Sequence, residues 1–100
     1  MARLDVRRIR SKGPFQHAVE LQSDEFHSLP TVLVAPLISP QALMRYPDIN
    51  PVFQIEDREM ALRIEQMIGI PRDRLGETVC NLVDREYEIT RSVERLMFRS

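Results

Sequence analysis

Two histidines, one cysteine, a run of N-terminal arginines and three glycines are the residues of this chain from which reactive chemistry could be built. Zinc needs ligands in register, and neither His17 nor His27 has a Cys-x-x-Cys or His-x-x-x-His companion, so both read as packed or surface imidazoles. Cys80 lies in Thr78-Val79-Cys80-Asn81-Leu82. Those neighbours predict a buried, inert thiol, and a single cysteine cannot form an internal disulfide. With glycine only at Gly13, Gly69 and Gly76, no phosphate-cradling loop can be assembled. The expectation is a protein without metal or cofactor that is not an enzyme.

Recognition chemistry is better supplied. Met60, Met67 and Met97 suit an adaptable surface, though Met60 and Met67 are better read as core filler. Phe98 stands beside the C-terminus, and on a helix it lies about 100° from Met97. With Met97 facing inward, Phe98 would point toward solvent or a partner, and exposed aromatics anchor interfaces disproportionately. Covering its own barrel is the other reading of Phe98. Charge is uneven: residues 1 to 14 carry five basic groups against one acid, and residues 15 to 83 carry five against ten. A basic arm with an acidic middle suits a second copy or a charged peptide, while a solvated strand edge explains it equally simply.

The elements that must position these residues follow from periodicity. The chain has 100 residues, 14 basic and 15 acidic groups and a net charge of −1. It predicts one domain spanning 1–100, with no bulk attraction to nucleic acid or acidic membranes. Leu, Ile, Val and Phe make up 30 of the 100 residues, above the roughly 20% below which disorder is expected. The N-terminus lacks the apolar core of a signal peptide and no apolar run approaches the ~20 residues of a membrane span, so a cytoplasmic protein is expected.

Residues 3 to 9 alternate, with Leu4 and Val6 on one face and Arg3, Asp5 and Arg7 on the other, as in a half-buried strand. His17 to Gln22 alternates likewise, with Val19 and Leu21 opposed to Ala18, Glu20 and Gln22. Thr31 to Ala35 is β-branched and uncharged, a strand buried on both faces, and Pro36 implies an edge, bulge or end. Pro40, Pro47, Asp48, Asn50 and Pro51 predict a loop with one helical turn around Leu43. Val52, Phe53 and Ile55 form another strand, with a turn at Asp57. Glu59 to Ile70 fits both strand and helix periods, and Ile70-Pro71 ends it. From Asp84 to Phe98 an apolar stripe of Ile89, Val93, Leu96 and Met97 predicts a terminal helix capped by Asp84.

In order and spacing these segments resemble the CcdB toxins of bacterial toxin-antitoxin systems. Val19-Glu20-Leu21-Gln22-Ser23-Asp24 is similar to that family's Val-Asp-Val-Gln-Ser-Asp strand end. Val32-Leu33-Val34-Ala35-Pro36-Leu37 is similar to its strand ending in Ile-Pro-Leu, and Pro51-Val52-Phe53-Gln54-Ile55 to its Pro-x-x-His-Ile strand. Asn81-Leu82, Arg85-Glu86, Ile89 and Leu96-Met97-Phe98 track its terminal helix.

The resemblance implies a mainly β fold with a C-terminal α-helix, an SH3-like barrel working as a homodimer. It implies strand for Glu59 to Glu65. It also implies a toxin that inserts paired helix ends into the A subunit of DNA gyrase and traps the gyrase-DNA cleavage complex, neutralised by a CcdA-like antitoxin. Glu25, Phe26, Glu94, Phe98, Arg99 and Ser100 would face gyrase, and Arg8, Arg10 and Lys12 the antitoxin. DNA would be met only through gyrase or antitoxin. The ending Phe98-Arg99-Ser100, where the family tends toward Gly-Ile, admits a non-toxic dimer that keeps only antitoxin binding and operon autoregulation. A messenger-cleaving toxin of related fold is a further reading, drawing on Arg7, Arg8, Arg10, Asp24 and His17, though no spacing selects them.

Overall fold

A computed structural model describes residues 3–10, 13, 16–40, 46 and 48–98. Among the described residues seven strands, β1 (Asp5–Ile9), β2 (His17–Glu20), β3 (Thr31–Ile38), β4 (Val52–Ile55), β5 (Arg58–Leu62), β6 (Ile68–Pro71) and β7 (Leu75–Asn81), precede one α-helix, α1 (Glu86–Phe98). Antiparallel pairing runs β4-β5-β3-β2-β1-β7, with β6 also on β3. The result is a sheet curled into a half-barrel with the helix at its end.

β3 is the hub because it is long enough to hold two partners on one edge. Its first half pairs with β6, its end with β5, and its other edge with β2. Pro36 falls where β6 stops and β5 has not begun. Its carbonyl accepts the Arg63 N–H at 2.9 Å, and because it has no N–H to donate, the change of partner there loses no ladder bond.

The alternation of β1 and β2 is real, but it does not divide core from solvent. Val6, Val19, Ala35 and Leu37 join Phe53, Ile55, Leu62 and Ile89 in the main core. Ala18, Val32, Val34 and Leu75 form a second cluster with Ile9 and Ile70. Consequently all four residues of β2 are buried. Arg7 and Glu20, expected on an outer face, are interior as well. Burial is tolerated because they neutralise each other at 3.0 Å and the Arg7 guanidinium also donates to the Gly76 carbonyl.

The segment open to two periods is strand only as far as Leu62; a 3-10 turn over Ile64–Gln66 and then β6 follow. Glu56 and Asp57 form the two-residue β4–β5 turn with φ of 49° and 64°, the left-handed pair a tight hairpin demands. The helical turn expected around Leu43 lies outside the described residues.

Two expectations about the helix need correction. Asp84 does not cap it: a 3-10 turn over Val83–Arg85 intervenes, and the side-chain oxygen of Asn81 accepts the Val83 N–H at 2.8 Å. Met97 does not face inward. Only Ile89 and Ser92 of the helix are buried, with Val93 packed partly against the core. The last turn runs past the sheet, leaving Met97 58% exposed.

Candidate functional site

The projecting helix end borders a groove of about 260 Å³. Leu4, Leu21, Ile89 and Val93 give it an apolar floor, and Arg3, Glu94 and Phe98 a rim. Phe98 is 76% exposed, so an aromatic ring that core packing does not consume stands at the edge of an apolar trough.

The groove exists because of a strained residue. Leu4 has a φ of 69°, a conformation costly for an L side chain. Two backbone bonds hold it there, Leu4 N–H to the Glu20 carbonyl at 2.7 Å and Leu82 N–H to the Leu4 carbonyl at 2.9 Å. The resulting kink brings Arg3 across to the segment that follows β2. Its N–H donates to Asp24 Oδ1 at 2.7 Å, and its guanidinium pairs with the Glu86 carboxylate at the start of α1.

That bridge ties the Asp24 turn to the start of α1, twelve residues before Phe98. Asp24–Phe26 is a 3-10 turn capped by Ser23, whose hydroxyl accepts the Glu25 N–H. Gln22 ties it down, donating to the Phe26 carbonyl and accepting from Leu33 N–H. Glu25 and Phe26 are both exposed on this turn. Thus Glu25 and Phe26 sit beside a residue anchored to the helix through Arg3, and Glu94 and Phe98 line the groove. Arg99 and Ser100 lie outside the described residues.

The basic arm is less free than its composition suggests. Arg8 Nη2 bonds both oxygens of Glu56, at 3.0 and 2.8 Å, and its Nε bonds Glu77 Oε1 at 2.6 Å. These carboxylates, the Glu77 bond first and then the Glu56 charge, raise the arginine above its ordinary pKa. Arg10 is exposed, its N–H given to the Arg74 carbonyl. Lys12 lies outside the described residues.

Of the residues considered for ribonuclease chemistry, Arg8 and His17 meet at 3.2 Å, whereas Arg7 and Asp24 have other partners. Arg7 is enclosed with Glu20, and His17, 3% exposed, packs against Arg8 and Glu56. Asp24 follows the far end of β2 and receives Arg3. Cys80 is half-buried, and burial, followed by the charges of Glu56 and Asp5, pushes its thiol pKa up, which leaves little thiolate to react. Among the described residues no group of three His, Cys, Asp or Glu is placed to hold a metal ion, and no helix is long and apolar enough to cross a membrane.

Arg3, Leu4 and Leu21 were not singled out in the sequence. Their hydrophobicity and charge fit an ordinary strand and its end, and the positive φ that turns Leu4 leaves no compositional mark.

A model of the CcdB protein family matches residues 4–98. The chain belongs to the CcdB family. It is therefore a toxin of the toxin-antitoxin class. The search of curated proteins gave no match. Among solved structures, the chain is similar to an "Endoribonuclease in complex with its cognate antitoxin from Mycobacterial species", at 12% identity and a TM-score of 0.76, covering 94% of this chain and 91% of the other. It is also similar to "Mycobacterium tuberculosis toxin MazF-mt6", at 14% identity and a TM-score of 0.77, covering 91% and 93%. At such identities the likeness speaks for a shared fold. CcdB membership is carried by sequence over nearly the whole chain.

Proposed function

We propose that this CcdB-family chain acts without catalysis. As a cytoplasmic homodimer of SH3-like barrels, it binds the A subunit of DNA gyrase through its helix ends, traps the enzyme on cleaved DNA and is neutralised by a cognate antitoxin. The observation that carries this reading is Phe98, three-quarters exposed on the rim of an apolar groove. A ring left in water at the end of a rigid helix gains most from entering a partner's pocket. The Arg3 bridge supports a single continuous surface by linking the Phe26 turn to that helix. Burial of Arg7 and His17 supports binding over RNA cleavage, since neither side chain is open to a scissile phosphate.

The test is expression in cells with wild-type gyrase and in cells whose gyrase is altered at the toxin site, alongside titration of the purified protein with a gyrase A fragment. Growth arrest only in the first strain is expected. Phe98→Ala should weaken gyrase binding about 30- to 1,000-fold, the 2 to 4 kcal/mol of an interfacial hot spot, while the urea midpoint stays unchanged. Normal growth together with no gyrase binding would remove the proposal. Degradation of total RNA by the purified protein would replace it with the ribonuclease reading.

A further inference from the structure

Three groups from three elements meet at Arg8. Glu56 and Glu77 hold its Nη2 and Nε, and His17 Nε2 lies 3.2 Å from its Nη1. The histidine is a buried floor, whereas Arg8 and both carboxylates are open to water, their side chains 42% to 68% exposed. Glu77 projects from β7, which ends the sheet.

Glu56 occupies a position where its residue type is unfavourable. A two-residue turn with two positive φ values is the place for Asn-Gly, and here it is Glu56-Asp57. The backbone would be served better by glycine, so what Glu56 contributes is its carboxylate, and that carboxylate sits on Arg8. With two acids set against its one guanidinium, the Arg8 site carries no surplus positive charge, although the arm to which it belongs is strongly basic in sequence.

We propose that Glu56 and Glu77 are internal stand-ins for the carboxylates of an acidic partner peptide, masking Arg8 until that peptide exchanges its own acids for theirs. The inference rests on the reading of Arg8, Arg10 and Lys12 as the antitoxin surface and adds the device that sets its affinity. An acidic peptide fits better than a nucleic acid because the group already seated on Arg8 is a carboxylate. Exchange is feasible because exposed ion pairs are held weakly and reform with any carboxylate of suitable geometry.

The experiment uses the full chain, folded by circular dichroism. The wild type, Glu56→Gln, Glu77→Gln and Arg8→Ala are titrated with a labelled twelve-residue peptide of alternating Glu and Leu, its Gln counterpart, and a single-stranded RNA of equal length. Glu56→Gln should tighten binding of the Glu peptide about three- to tenfold, the scale of one exposed pair plus the like-charge repulsion removed. Glu77→Gln should shift it the same way, the Gln peptide should gain nothing, and Arg8→Ala added to Glu56→Gln should abolish the gain. Weaker binding on Arg8→Ala with no gain from either Gln variant would overturn the masking and leave the arm as the antitoxin surface. Unchanged binding on Arg8→Ala would overturn both. A larger gain for RNA than for peptide would overturn the choice of partner.

Discussion

Arg7 and Arg8 are consecutive residues of β1, and the pleat sends their side chains to opposite faces of the sheet. Arg7 is enclosed, 3.0 Å from Glu20, with the Gly76 carbonyl taking two more of its N–H groups. Arg8 stands at the surface between Glu56 and Glu77. The two share a dependence on Gly76, where an added Cβ would lie 3.0 Å from the Arg8 carbonyl oxygen. Because β7 can approach β1 that closely, the Gly76 carbonyl reaches Arg7 and the neighbouring Glu77 reaches Arg8. What differs is solvent. A buried pair cannot exchange partners and becomes part of the fold; an exposed pair can, and becomes available for recognition.

The interior half of this comparison predicts the largest effect. Glu20→Gln leaves a guanidinium buried without its counter-charge, which costs about 3 to 5 kcal/mol, about a fifth or more of the stability of an ordinary domain. At about 4 to 8 °C per kcal/mol for a chain this size, the melting temperature should fall by at least about 12 °C. Replacing both partners together, as in Arg7→Met with Glu20→Leu, should recover most of that loss, because no unpaired charge remains. A Glu20→Gln protein melting within a few degrees of wild type would show that water reaches Arg7 and that the contrast with Arg8 is false.

A third polar site, as buried as Arg7 but uncharged, sharpens the contrast. Asn50 is 1% exposed. Its amide donates to the carbonyls of Ile49 and Leu62 and to Glu65, and its oxygen accepts the Tyr46 N–H. It therefore stitches the 46–50 segment to the end of β5 without carrying a charge. Asn50→Ala should cost about 1 to 3 kcal/mol, the penalty for stranding buried partners. Urea denaturation should place it between Glu20→Gln and any substitution at Arg8. A loss as large as that of Glu20→Gln would mean that charge is not what distinguishes the Arg7 site.

Much of this arrangement was legible in the sequence, for reasons that differ by residue. Val6, Val19 and Ile89 announce themselves by period because one side of each meets the main core, and Val34 by its uncharged, β-branched run, which is buried in the second cluster. Glu20 misleads since polarity signals solvent only where a partner is missing, and its partner lies 13 positions away on another strand. Met97 misleads because the stripe continues past the end of the sheet it should cover. The Phe26 turn is found by likeness to a family, whereas Phe98 already stands out by its position on the helix. Arg3 and Leu4, which join them, depend on a backbone angle and a hydrogen bond to Asp24 that no periodicity encodes.

The smallest predicted effect concerns Glu65, whose carboxylate is neither sealed like Glu20 nor open like Glu77. Burial alone would raise its pKa, but the Asn50 amide, its own backbone N–H and the Arg63 guanidinium outweigh that and lower it from the usual 4.5. A folded-state pKa below the unfolded one means that Glu65 adds stability above about pH 4.5, and this is lost as pH falls through the lower folded value. Glu65→Gln should therefore be less stable than wild type at pH 7, by less than Asn50→Ala, and the difference should shrink on acidification below pH 4.5. Measuring urea midpoints for both proteins from pH 7 to pH 3 removes the carboxylates they share from the comparison. A gap that persists unchanged to pH 3 would mean the Glu65 contacts act through packing alone, leaving burial without its graded control over charge.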